Sequence, residues 1–194
     1  MFKIGIIGAT GYVGAELLRL LLNHPEVSVE AISSSSFKGE NISSLYKNFL
    51  NKTDLICEDM DAVIEKTDII FTALPHGLSE EIAAKAIKEN KIVIDLGADF
   101  RLDSEEEYEE WYGKKFAHKE LHELSIYGLP ELNRSKIKEC KIIGNPGCYP
   151  TSIELGLMPL LSKNLIKTKN IICDSKSGVT GAGRGLSLKS HYPE

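Results

Sequence analysis

The sequence predicts an α/β fold, with a doubly wound parallel sheet over most of the chain and a shorter region behind it. Three observations predict it. A β-branched run near the N-terminus leads through a glycine-rich turn straight into a helical pattern, the opening half of a nucleotide-binding βαβ unit. Further short apolar runs alternate with helical patterns, the order of parallel strands joined by right-handed crossovers. The polar and glycine-rich stretches follow those runs, at the edge where such sheets bind ligands.

The first strand is Lys3 to Ile7, followed by Gly8-Ala9-Thr10-Gly11-Tyr12-Val13-Gly14. Helical spacing begins at once with Val13, Leu17, Leu20 and Leu21 and closes near Asn23-His24-Pro25. The glycines let the backbone approach a pyrophosphate, whose charge sits well at a helix N-terminus. Gly8, Thr10, Gly11, Tyr12, Val13 and Gly14 are therefore candidate cofactor contacts in a Rossmann-like unit. The spacing is G-x-x-G-x-x-G rather than the stricter G-x-G-x-x-G.

A second strand runs from about Val27 to Ile32 and ends in Ser33-Ser34-Ser35-Ser36, with Lys38 nearby. A carboxylate here would bind the ribose 2′-hydroxyl of NAD, but Glu30 lies earlier, inside the strand. Hydroxyls and a cation suit a 2′-phosphate, so Ser33 and Ser34 point to NADP(H). Further strands are expected at Asp54 to Cys57, Asp68 to Leu74 and Lys91 to Leu96. Between the last two lies a helix, Ser79 to Glu89, with Ser79 as its N-cap. The turn Leu74-Pro75-His76-Gly77 should flank the cofactor, which makes Pro75 a candidate contact.

Arg101, in Asp99-Phe100-Arg101-Leu102, stands at the carboxyl edge as a fork for a carboxylate or phosphate. Ser104 to Tyr112 reads as a solvated acidic helix anchored by its aromatics, with no chemistry of its own. Residues 113–133 read as irregular, ahead of a short helix, Ser135 to Glu139, and a strand, Lys141 to Gly144. Then comes Asn145-Pro146-Gly147-Cys148-Tyr149-Pro150-Thr151, leading into a helical pattern from Ile153 through Leu161. A thiol on a strand-to-helix turn meets unpaired N–H groups and a partial positive charge, which favour a nucleophilic thiolate. A last strand is expected at Asn170 to Ser175, feeding the glycine-rich stretch Ser177 to Gly185. A loop of that composition lies against a ligand, so Gly178 is a candidate cofactor contact and Arg184 supplies a second cation.

Composition narrows the function classes. Hydrophobic residues make up 42% and charged residues 26%, an ordinary globular balance. A net charge of −5 without a basic cluster argues against a nucleic-acid surface, and no apolar run reaches membrane-spanning length. The first strand starts within two residues of Met1, which leaves no room for a signal peptide. Cys57, Cys140, Cys148 and Cys173 form no C-x-x-C pair, so no metal site or disulfide framework is expected and a cytoplasmic setting follows.

Taken together, these stretches resemble the N-acetyl-γ-glutamyl-phosphate reductase family, a group related to aspartate-semialdehyde dehydrogenase. Gly8 to Gly14, Leu74 to Gly77, Asp95 to Leu102, Tyr127 to Leu132, Asn145 to Thr151 and Ser177 to Arg184 carry the likeness, the Cys148 element most specifically. The resemblance implies an NADP-binding domain, residues 1–147, and then the first part of an α+β catalytic domain, residues 148–194. It implies Cys148 as nucleophile towards an acyl phosphate, NADPH as reductant, Arg101 and Arg184 on the substrate, and a homo-oligomer at full length. The family's acid/base histidine comes from a His-Arg-His-x-Pro-Glu element. His191-Tyr192-Pro193-Glu194 mimics its tail without the preceding pair, so His191 is not expected to fill that role and the chain reads as a fragment. Two other readings stand beside this one: reduction of aspartyl or aminoadipyl phosphate, and, for this chain alone, NADP(H) binding without turnover.

Overall fold

The computed structural model describes residues 1–185 of the chain; His191 lies outside them. Seven parallel strands form one sheet: β1 (Phe2–Ile7), β2 (Val27–Ser33), β3 (Cys57–Glu58), β4 (Ile69–Thr72), β5 (Ile92–Asp95), β6 (Ser125–Tyr127) and β7 (Ile142–Gly144), in the order β3-β2-β1-β4-β5-β7-β6. The strand order reverses between β1 and β4, so a crevice opens at their carboxyl ends.

Both faces of the sheet are covered, as β-branched runs such as Ile4, Ile6 and Ile7 require. Alternation along β1 sends Ile4 and Ile6 to one face, where they meet Ala15 and Leu18 of α1 (Tyr12–Leu21) and Ile42 of α2 (Ile42–Leu45). Ile7 points to the other face. There it joins Val63 and Ile64 of α3 (Met60–Lys66) and Ile82, Ala83 and Ala86 of α4 (Ser79–Lys88). Gly5 lies against α3, where an added Cβ would press on Val63 and Thr67. The expected doubly wound architecture is thus what the chain adopts.

Several elements differ from expectation. Of the run Asp54 to Cys57 only Cys57 reaches β2, joined there by Glu58, because Leu55 and Ile56 are engaged with Ile42 and Asn41 instead. Residues 113–133 are not irregular: they hold α6 (Lys119–His122), β6 and the start of α7 (Pro130–Ile137). A three-residue strand shows no alternation in sequence, and β6 exists through its pairing with β7. The helix expected from Ser135 begins five residues earlier, with Pro130 at its start. Asn170 to Ser175 forms no strand; Ile172 is 92% exposed and no described strand lies alongside to share a ladder.

The correction at Ser79 bears most on the site. Ser79 is not the cap of α4 but its first helical residue, and no side chain of Leu78 caps the helix. Asp99, beyond β5, supplies the acceptor: its carboxylate takes the N–H groups of Gly77 (2.5 Å) and Ser79 (2.8 Å). It also accepts from the hydroxyl of Tyr108 (2.8 Å), on α5 (Glu105–Tyr112). Asp95, ending β5, accepts from Thr72 and Ser79 hydroxyls, each at 2.7 Å. Both carboxylates are fully buried.

Tyr108→Phe should lower unfolding stability by about 1–3 kcal/mol, the cost of leaving a buried acceptor short of a donor. Urea midpoints at unchanged m-value measure it; an unaltered midpoint would remove Tyr108 from the network.

Candidate active site

The glycine turn is fixed by its neighbours before any ligand is considered. Gly8 sits at φ +89°, and a Cβ there would overlap the carbonyl oxygen of Ala73 beyond β4. Gly14 brings α1 so close that a Cβ would overlap the Gly8 carbonyl. Gly11 is different: a Cβ would meet only the Gly8 oxygen, at 3.6 Å. A methyl at 11 would meet no clash inside the fold, and the backbone there is open to approach from outside. Gly11 is also the N-cap of α1 and offers no capping side chain, which leaves the first-turn N–H groups at Tyr12, Val13 and Gly14 unpaired by a cap. Tyr12 and Val13 are exposed there. That cradle fits a dinucleotide pyrophosphate.

Ser33 and Ser34 support this turn from the end of β2. The Ser33 carbonyl accepts the N–H groups of Gly8 (3.1 Å) and Ala9 (3.0 Å), while its side chain is buried. Ser34 shares a 2.7 Å hydroxyl–hydroxyl bond with Thr10. Lys38, the cation noted beside these serines, is paired at 2.6 Å with Asp59. Pro75 is exposed beyond β4 on the same edge.

Cys148 is the first residue of α8 (Cys148–Ser162) and is exposed. Asn145 donates its N–H to the Asp95 carbonyl (2.8 Å), carrying the chain from β7 across the end of β5. Arg101 locks the turn from below: its Nε donates to the Asn145 carbonyl (2.8 Å) and an Nη to the Leu96 carbonyl (3.0 Å). The other Nη would stand 3.3 Å from a Cβ on Gly147, which puts the guanidinium against the residue before the thiol. Among the described residues Arg101 makes no ion pair with Asp99 or Asp103. The glycine turn and Cys148 lie on one edge, three strand spacings apart across β1, β4, β5 and β7, about 14 Å at the usual spacing.

Arg184 is elsewhere. It keeps company with Thr10, donating to its carbonyl (3.2 Å), rather than with Cys148. Gly178 opens the exposed 3₁₀ turn Val179–Ala182 just before it. Sequence reasoning missed Tyr127, which ends β6 and donates to both oxygens of Glu154 on α8 at 3.2 Å. Burial first, then the Glu154 carboxylate, push its hydroxyl up to about 12 from 10.0. No spacing signal links residues that far apart. It missed Asp99 and Tyr108 as well, although two aspartates four residues apart behind a strand were visible.

Comparison with known proteins places this arrangement. Residues 3–140 match the family described as "Semialdehyde dehydrogenase, NAD binding domain", and residues 148–194 match "Semialdehyde dehydrogenase, dimerisation domain". A Clostridium beijerinckii protein named N-acetyl-γ-glutamyl-phosphate reductase is 72% identical over all 194 residues, which cover 56% of that protein. A Clostridium kluyveri protein of the same name is 55% identical over 99% of this chain and 56% of its own length. The chain thus spans little more than half the length of these curated relatives. Among solved structures, aspartate semialdehyde dehydrogenase II of Vibrio cholerae matches with a TM-score of 0.67 at 20% identity, over 95% of this chain and 48% of that one. The Candida albicans aspartate semialdehyde dehydrogenase solved with NADP matches at 0.58 and 18%, over 84% and 47%. At such identities the structures share the fold.

Two outcomes follow. Gly8→Ala should cost about 1–2 kcal/mol of stability from its positive φ alone, and more from the overlap with Ala73, whereas Gly11→Ala should cost about 1 kcal/mol or less, the preference for glycine over alanine at an N-cap, and weaken dinucleotide binding in a fluorescence titration. For Tyr127, the unfolded chain loses its proton near pH 10 and the folded chain near 12, so the stability this group gives is whole below pH 10 and falls away towards pH 12. Tyr127→Phe should remove that part of the pH slope; parallel curves for the two proteins would deny the perturbation.

Proposed function

Because the chain belongs to the semialdehyde dehydrogenase family, we propose that it is the dinucleotide-binding and nucleophile-bearing part of an N-acetyl-γ-glutamyl-phosphate reductase in arginine biosynthesis. The observation that carries this reading is an exposed Cys148 at the head of α8, on the sheet edge that also holds the glycine turn. Residues 1–147 form the dinucleotide domain in this reading and residues 148–194 begin the catalytic one. The whole enzyme is cytoplasmic and self-associates, consistent with the dimerisation-domain match. Among the described residues no helix is long and apolar enough to cross a membrane.

The chemistry follows from the residues. Cys148 Sγ attacks the acyl carbon and a C–S bond forms; the bond from that carbon to the phosphate oxygen breaks, and phosphate leaves with the electron pair. An acyl phosphate is already activated, so this departure needs no strong acid. The thioester stays tethered at the turn held by Arg101 and Asn145. NADPH held at the glycine turn would supply hydride to the thioester carbon, and collapse of the resulting adduct on Cys148 would break the C–S bond, return the thiolate and release N-acetylglutamate 5-semialdehyde. Gly8, Thr10, Gly11, Tyr12, Val13, Gly14, Ser33, Ser34, Pro75 and Gly178 form the cofactor's surroundings. NADP(H) rather than NAD(H) is supported by the serines ending β2, where a carboxylate would repel a 2′-phosphate. Arg101, with one Nη directed at the Cys148 turn, meets the substrate's phosphate or carboxylate.

In the full-length enzyme, Cys148→Ser should abolish NADPH oxidation with the acyl phosphate while leaving NADPH binding within about twofold, since no cofactor group is touched. Retained turnover would exclude the thioester route. Assaying N-acetylglutamyl, aspartyl and aminoadipyl phosphates side by side tests the substrate; preference for either of the last two would redirect the assignment.

A further inference from the structure

We infer that Arg184 is a specificity-determining residue, the cation that selects a 2′-phosphorylated dinucleotide over its unphosphorylated counterpart. The inference rests on the dinucleotide reading of the glycine turn and adds which group reads the ribose. The choice between the two cofactors is made at the carboxyl end of β2, where the adenosine ribose lies beside the glycine turn. A 2′-phosphate brings about two negative charges there, and hydroxyls alone leave them uncompensated.

Two cations stand in that neighbourhood. Lys38 pairs with Asp59 at 2.6 Å with both side chains more than 60% exposed, so its charge is partly offset and held only by a weak, solvent-screened contact. Arg184 has no carboxylate partner among the described residues. One of its N–H groups goes to the Thr10 carbonyl (3.2 Å), and the same residue's hydroxyl is bonded to Ser34 at 2.7 Å. Its guanidinium carbon lies 5.5 Å from the ring centre of Phe37 and 5.4 Å from that of Tyr46, within cation–π range of both. Tyr46 in turn donates its hydroxyl to the Thr10 carbonyl (3.0 Å). Two aromatic rings and a backbone carbonyl therefore hold the guanidinium in place, and its remaining donors stay available.

This arrangement suits phosphate better than a flexible lysine would. A planar guanidinium forks onto two phosphate oxygens, and its anchoring means that little rotamer freedom is lost on binding. Behind it the buried Thr10 and Ser34 hydroxyls are bonded to each other and place no competing negative charge beside the cation. A ribose 2′-hydroxyl carries no charge and gains little from the same group.

The test is a fluorescence titration of the 194-residue chain with NADPH and NADH, repeated for Arg184→Ala, Arg184→Lys and Lys38→Ala. Arg184→Ala should lose about 10- to 100-fold in NADPH affinity, the size of lost charge-assisted hydrogen bonds, with NADH affinity unchanged. Arg184→Lys should recover part of the loss, and Lys38→Ala should match the parent chain for both cofactors. Adenosine 2′,5′-bisphosphate should compete with NADPH on the parent chain and lose that ability on Arg184→Ala. Equal loss for NADPH and NADH would make Arg184 a prop of the glycine turn and overturn the inference, as would no loss or a selective loss in Lys38→Ala. A parent chain that binds NADH as tightly as NADPH overturns the inference alone. One that binds neither removes the dinucleotide reading too.

Discussion

Two buried carboxylates, Asp95 and Asp99, set the geometry of the edge on which the candidate site is built. Burial pushes the Asp95 carboxyl up, hydrogen bonds from Ser79 and Thr72 pull it down, and nearby Asp99 pushes it up again. Such a group is tolerable only when its oxygens are filled. Asp95 meets that demand with two hydroxyls and the N–H groups of Gly97 (3.1 Å) and Asp99 (3.2 Å). Asp99 meets it with Tyr108 and the backbone of the Gly77–Ser79 turn. The need to satisfy two buried carboxylates therefore fixes the loop after β4, the start of α4, the loop after β5 and α5 relative to one another.

That constraint reaches the thiol through the backbone. The Asp95 carbonyl receives the Asn145 N–H, so the strand end that holds the carboxylates also holds the first residue of the Cys148 turn. Arg101 follows Asp99 by two residues and reaches back to the carbonyls of Leu96 and Asn145, bracketing the same point from the other side. The glycine turn is anchored separately, by Ser33 at the end of β2 and by the Ile7–Ala73 bond (2.8 Å) that ties β1 to β4. One rigid sheet thus carries two independently fastened turns, and their separation follows from strand spacing rather than from loop conformation.

What could be read from the sequence was local. The glycine turn announces itself because the backbone at Gly8 and the closeness of Gly14 demand residues without a Cβ within one short stretch. The Cys148 turn is legible for the same reason: strand, turn and helix are contiguous. What escaped was long-range. The Ser79 hydroxyl looked like a cap, yet the cap is a carboxylate twenty positions along, and the serine serves Asp95 instead. β6 is a strand only because β7 offers it a ladder, while Asn170 to Ser175, no less apolar, finds no such neighbour among the described residues. The glycine-rich composition of its loop marks Arg184 as a cation beside a ligand, but only the three-dimensional path of the chain puts it beside Thr10.

The placement of Cys148 shows why its position can be well defined although none of the residues of α8 is buried. A helix of 15 residues is about 22 Å long, so any tilt about its first turn displaces its far end by much more than its head. Cys148 sits at that head, next to the residues fastened by Arg101 and Asp95. A second tie, from Tyr127 to Glu154, limits rotation two turns further on. Packing along the rest of the helix can therefore change without carrying the sulfur away, because the sulfur lies where the lever arm is shortest. For the role proposed for Cys148, opposite a cofactor three strands away, that mounting on the sheet rather than on the helix that follows it is the favourable one.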